Sequence, residues 1–235
     1  MIPLMLAALF AVDPRPAALD KRHWDCRPLP HFQVCGTPGL GTDFLEDQAE
    51  AALQDTLRFV GAPRYPHRIY LLVVHSPGDL QALTAAYANG ASHPEEHAIF
   101  LVKGHPENLV HEMNHEVVTG LWGKSEFWIA EGLAAYASDP KTIDEQCRVA
   151  YSERWSLKLS DMVTPTWNAA QDPYPARAIY PMLGSFVKYL LSGYGLERVH
   201  QVWQGGSQSI PKVFGKTLSE LDRDWRATLA TDRGR

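Results

Sequence analysis

His111 and His115 stand four residues apart in the segment His111-Glu112-Met113-Asn114-His115. On a helix that spacing puts both side chains on one face, one turn apart, so their ring nitrogens can converge on a single tetrahedral metal ion. Glu112 lies about 100° round the helix from His111. It therefore misses the metal but can reach a water bound to it, and zinc makes such a water acidic enough to supply hydroxide near neutral pH. Two imidazoles leave a catalytic site one protein ligand short. A carboxylate from another helix would complete it and keep one position open.

The motif is not decisive by itself, since a shuffled chain with 10 His and 13 Glu in 235 residues would contain His-Glu-x-x-His roughly two times in a hundred. Its surroundings add weight. The segment FWIAEGLAAYAS, Phe127 to Ser138, carries Glu131 among Trp128, Ile129, Ala130, Leu133 and Ala134. A lone carboxylate in such company is costly to bury unless something neutralises it, and a divalent cation would do so. Glu131 is accordingly the expected third ligand.

These groups need elements to hold them. Thr42 begins a helix, with the Thr-Asp pair as its cap and Leu45, Ala49, Ala52, Leu53, Leu57 and Val60 at helical spacing up to Gly61. His67 to His75 reads as a buried strand, Ser76-Pro77-Gly78-Asp79 turns the chain into a short helix through Ala88, and His97 to Val102 reads as a second strand. Pro106 opens the motif helix, which runs to about Leu121. Helical patterns then follow over Phe127 to Ser138, Ile143 to Leu159, Ala176 to Leu191, Leu196 to Trp203 and Thr217 to Leu229. Strands first and helices afterwards predict an α+β fold. Residues 42–235 are expected to form one catalytic domain. Residues 1–41, rich in Pro from Ala11 onward, are read as an irregular N-terminal segment: a signal or pro-segment, a linker, or a strand lying over the domain.

Composition bounds the function classes. An apolar content of 45%, a charged content of 21% and a net charge of -5 describe an ordinary globular chain and argue against a nucleic-acid partner. No apolar run is long enough for a stable membrane span. The run Met1 to Val12 has the length of a signal-peptide apolar region but lacks positive residues before it; export is favoured because Cys26 and Cys35 lie close together in a Pro- and Gly-rich segment where a loop-closing disulfide would be useful, with a cytoplasmic location if the run is not a signal. Cys26 and Cys35 could close a small disulfide loop or stand as two buried thiols, and Cys147 reads as a small core residue.

With these motifs in view, VHEMNHEVVTGLWG followed by FWIAEGLAAY resembles the gluzincin clan of zinc metallopeptidases, in particular small bacterial peptidase-MA-like proteins. In those, His-Glu-x-x-His is followed by a Trp-x-x-Glu-Gly-x-Ala-x-Tyr helix. The tail is similar too, AIYPMLGSFVKYLLSGYG to a Tyr-containing helix and FGKTLSELDRDWRATL to a closing helix, so the resemblance spans roughly residues 68 to 229. It implies a two-lobe catalytic domain, with a small mixed upper sheet over a helical lower lobe and one zinc ion in the cleft between them. It implies His111, His115 and Glu131 as ligands, Glu112 as general base and acid, and Tyr180 as a hydrogen-bond donor to the developing oxyanion. Packing is the competing role for Tyr180. The strand His97 to Val102 is the expected cleft edge, along which an extended peptide substrate would pair.

Departures narrow the expectation. Val118 and Leu121 stand where the metzincin extension has Gly and His, which excludes that group. The Gly-x-Met-Glu-Asn motif of the larger aminopeptidases is missing before His111, which favours an endopeptidase. Ala135 occupies the place of thermolysin's histidine-orienting Asp, so another acceptor must serve there; Asp139 is only weakly supported. Glu116 is read as a solvated or capping carboxylate, and His93, His97 and His105 as cleft or surface residues. Trp122, Trp128, Trp155, Trp167, Trp203 and Trp225 are read as packing. The alternative function is a non-hydrolytic zinc-binding or peptide-binding protein on the same fold. Oligomeric state is not encoded in any of these features.

Overall fold

A continuous apolar run suits a strand covered on both faces, and Ile69–Val74 (IYLLVV) forms such a strand in a computed structural model that describes residues 15–152, 158–168 and 175–231. The run Met1 to Val12 and Trp155 lie outside the described residues, as does part of the Ile143 to Leu159 segment. Among the described residues the sheet has five strands, β1 (Asp25–Pro28), β2 (Phe32–Gly36), β3 (Ile69–Val74), β4 (Gly90–His93) and β5 (Ala98–Val102), in the order β1-β2-β3-β5-β4. β2, β3 and β5 run parallel, while β1 and β4 pair antiparallel at the two edges. The sheet is small and mixed, and the fold is α+β, as the element order predicts.

Two strands come from the segment read as irregular. β1 and β2 form a hairpin in which Cys26 is paired directly with Cys35, and a disulfide joins them. The parallel pairing of β2 with β3 makes residues 25–36 an integral part of the sheet.

Helix α1 (Glu46–Val60) follows a 3-10 turn, Asp43–Leu45. Thr42 is buried and makes no side-chain cap; the turn carries the chain into the helix instead. Gly61, at φ 70°, closes it in the left-handed conformation that glycine adopts without a Cβ clash. α2 (Pro77–Thr84) is capped by Ser76, whose Oγ accepts from the Asp79 amide. α3 (Asn108–Trp122) and α4 (Phe127–Ser138) come next. They are followed by α5 (Ile143–Ser152), α6 (Leu159–Met162), α7 (Ala176–Tyr194), α8 (Leu196–Gly205), α9 (Ile210–Phe214) and α10 (Leu218–Thr231).

Apolar side chains gather in three clusters. One face of the sheet packs Val34, Leu71 and Ile99 against Leu53 and Leu57 of α1 and Met113 and Val117 of α3. The opposite face packs Leu72, Val74 and Phe100 against Leu80 of α2 and Trp24. The later helices build a separate cluster around Trp128, Phe186 and Trp225, to which α3 contributes Val118. α3 thus has one flank in the sheet core and another in the helical core. A helix clamped on two sides by packed, incompressible interiors is a rigid base for a site.

Candidate metal centre

His111 and His115 project from α3 as the four-residue spacing requires, and Glu131 reaches them from the first half of α4. The two Nε2 atoms are 3.1 Å apart, His111 Nε2 lies 3.2 Å from Glu131 Oε2, and His115 Nε2 lies 3.5 Å from the same oxygen. Ligand atoms about 2.0–2.1 Å from a tetrahedral metal stand roughly 3.3 Å from one another. The three atoms therefore occupy positions that three corners of one coordination tetrahedron would take. Pairwise hydrogen bonding would suffice for two of the contacts with suitable tautomers, but not for all three atoms facing a common centre. His111, His115 and Glu131 could hold a metal ion.

Side-chain hydrogen bonds anchor the turn between the two helices that carry these residues. The α3–α4 turn is tied to the end of α8: Ser125 Oγ donates to the Trp203 carbonyl at 2.6 Å, and Trp203 Nε1 donates to the Gly123 carbonyl at 2.9 Å. Glu126 accepts from Trp128 Nε1 at 2.7 Å and from the Ser207 amide at 2.9 Å. Beside Glu131, Gly132 lets α4 meet α7 closely, since a Cβ there would come within 2.5 Å of Val187 Cγ2 and 2.9 Å of the Leu183 carbonyl oxygen. That approach brings Tyr180 of α7 to the site, its ring 5.8 Å from that of His111 at an interplanar angle of 30°.

The electrostatics divide the two carboxylates. Burial alone would raise Glu131, but the positive potential and hydrogen bonds of His115 and His111 outweigh it and hold the group down at about 2. Glu112 gains less from its neighbours. Burial pushes its carboxyl up to about 7, His111 opposing and Glu131 adding to the rise. Tyr180 is raised well above its ordinary value, by burial first and then by Glu131 and Glu112, so its phenol keeps its proton and remains a donor. The two carboxyls of the cleft are thus driven apart, Glu112 up to about 7 and Glu131 down to about 2.

A cleft of about 820 Å³ opens over these groups, with His111, Glu112, His115, Glu131 and Tyr180 in its wall. In comparisons with known proteins, no family model matches the sequence. No curated protein matches it either.

The opposite wall of the cleft includes all of β4, and this corrects the expected edge. β5 is hydrogen-bonded on both sides, to β3 and to β4, so His97 to Val102 cannot receive a further strand. β4 is outermost. Its sequence, Gly-Ala-Ser-His, has neither β-branched residues nor alternation, and it offers no strand signal without its partner.

Glu116 is also corrected. It is fully buried, not solvated, and its carboxylate accepts from Tyr65 Oη at 2.7 Å and lies 3.1 Å from His97 Nδ1. His93 lines the cleft, whereas His105 sits with Glu107 at 2.9 Å away from it. Asp139 is engaged by Thr142 and Gln146 at the start of α5 and does not orient a site histidine. Trp128, Trp203 and Trp225 are buried packing residues, and Trp122 stacks on His200 with ring centroids 4.2 Å apart. Among the described residues, no helix is long and apolar enough to cross a membrane.

Proposed function

We propose that the chain is a zinc-dependent metallopeptidase of gluzincin type, an endopeptidase with its cleft between a sheet-bearing upper lobe and a helical lower lobe. The observation that carries the reading is the convergence of His111, His115 and Glu131 on one point, with Glu112 on the same helix and in the same cleft. Two imidazoles and one carboxylate at tetrahedral separations suit zinc, and three protein ligands leave a position for chemistry. When bound, zinc supplies Lewis acidity toward a carbonyl oxygen and makes water acidic enough to attack at neutral pH.

Every other step falls to the chain's own side chains. Glu112, on the same helix as His111 and His115 and in the same cleft, takes one proton from the attacking water and passes it to the departing amine as the C–N bond breaks. Tyr180, protonated and facing the same cleft, donates a hydrogen bond to the oxyanion as it develops. β4, whose outer edge has no strand beside it among the described residues, pairs with an extended peptide through backbone hydrogen bonds. The Cys26–Cys35 disulfide supports an exported protein working in an oxidising compartment.

Metal analysis of the purified chain, with a peptide-library digest run with and without a chelator, tests the reading. Near-stoichiometric zinc and chelator-sensitive cleavage within peptides are expected. A chain that binds no zinc, or whose cleavage ignores the chelator, is not this enzyme. Zinc and peptide binding without cleavage would make it the non-hydrolytic relative instead.

A further inference from the structure

Glu116 follows a metal-centre histidine directly, yet it points away from the metal triangle and into a second network that the proposed reaction does not use. Its side chain is completely buried. A buried carboxylate is retained only where its oxygens are well supplied with donors. Tyr65 Oη donates to Oε1 at 2.7 Å, His97 Nδ1 lies 3.1 Å from Oε1, and Ser92 Oγ donates to Oε2 at 3.4 Å. The His97 ring is further backed by His67, stacked 4.0 Å away at an interplanar angle of 11°.

The donors are placed with a pattern. Ser92 lies in β4, and His97 ends the 3-10 turn Pro94–Glu96 that joins β4 to β5. His97 stands at φ 49°, a conformation that is costly for a residue with a Cβ and persists only where its surroundings fix it. Its ring contact with Glu116 supplies such a fixing. Glu116 therefore holds the β4–β5 hairpin at two points, the strand and the turn. Tyr65 reaches the carboxylate across α3 at Gly120, where a Cβ would come within 2.3 Å of Oη. One turn earlier on the same helix face, Glu112 lies against Gly90, the first residue of β4. Glu112 and Glu116, four residues apart, thus form a track beneath Gly90 and Ser92, which share one face of the strand.

We propose that Glu116 is a positioning residue: its buried carboxylate, through Ser92 and His97, locks the cleft-edge hairpin onto α3 and so sets the substrate-pairing edge of β4 at a fixed height over the metal centre. The inference rests on the peptidase reading for its functional meaning, but the locking of β4 is a property of the chain that can be measured without activity.

The test uses the full-length zinc-loaded protein and the variants Ser92→Ala and Glu116→Gln, read by hydrogen exchange and by kinetics on a long and a short peptide. In both variants the β4 amides should exchange about tenfold faster or more, with β3 amides unchanged and zinc stoichiometry preserved. KM for a peptide of about eight residues, long enough to pair with β4, should rise roughly three- to tenfold with kcat nearly constant, and a dipeptide blocked at both ends should show no such rise. Ser92→Ala keeps the buried carboxylate and its other donors, so it remains informative if Glu116→Gln fails to fold. Unchanged exchange in β4, or exchange raised equally in β3, overturns the proposal. So does a fall in kcat of the same size on both substrates. If the wild type hydrolyses neither peptide the peptidase reading fails, and the exchange of β4 alone still decides whether Glu116 locks the strand.

Discussion

Gly90 lies against Glu112 so closely that a Cβ on the glycine would come within 2.8 Å of Oε1 and 3.0 Å of Cγ. The same Cβ would meet Asn108 Cβ at 3.1 Å, so little of the strain could be relieved by moving the strand sideways. Gly90→Ala should therefore displace the Glu112 carboxyl while leaving His111, His115 and Glu131 intact. A fall in kcat of about tenfold or more at full zinc occupancy is expected, measured by steady-state kinetics alongside metal analysis. Unaltered kcat would show that β4 yields freely and does not seat Glu112.

Glu112 should cost the metal-free fold stability. Its carboxyl is raised by burial from 4.5 to about 7, so the folded state holds the proton more tightly than the unfolded one. The contribution is fully present below pH 4.5 and is lost as pH rises through 7. At about 1.4 kcal/mol per unit, the loss above pH 7 is on the order of 1–3 kcal/mol. Denaturant melts of metal-free Glu112→Gln and wild type should nearly coincide at pH 4 and separate at pH 8 with the variant more stable. A separation that does not change with pH would contradict this account of the site's electrostatics.

Tyr180 offers a neutral donor at any physiological pH, because burial and the two carboxylates keep its proton on. Tyr180→Phe keeps the ring that faces His111 and removes only the hydroxyl. The expected result is a drop in kcat of about 10- to 100-fold with KM and zinc content little changed. A variant of wild-type kcat would return Tyr180 to a packing role.

The three cysteines should be silent in the native state. Cys26 and Cys35 are joined, and Cys147 is buried, with burial pushing its thiol up to about 12. A thiol reagent should count none in the native protein, one after unfolding without reductant and three after reduction. Two or more thiols without reductant would remove the disulfide from the account.

The sequence made α3, α4 and the His111–His115–Glu131 group legible for a physical reason: their signals are local. His111 and His115 share a helix face by spacing, and Glu131 stands out because its own helix is otherwise apolar. β3 was legible from a continuous buried run. β1, β2 and β4 were not, because Pro28, Gly36 and Gly90 dilute strand propensity in short segments that become strands only by pairing. Glu116 illustrates the same limit. Its direction, about 100° round the helix from His115, suggested a solvated or capping carboxylate, and its donor Tyr65 is 51 residues away. Gly132 and Gly90 likewise gain their meaning only from the close approaches of α7 and α3.

Glu112 is proposed to move the proton in a zinc-dependent hydrolysis at the His111–His115–Glu131 centre. Single-turnover cleavage of a peptide substrate by zinc-loaded wild type and Glu112→Gln, matched for bound zinc, addresses it most directly. Wild-type cleavage that a chelator abolishes and zinc restores is predicted, with the variant slower by about a thousandfold or more. A Glu112→Gln protein that carries its full zinc and cleaves at the wild-type rate would contradict it.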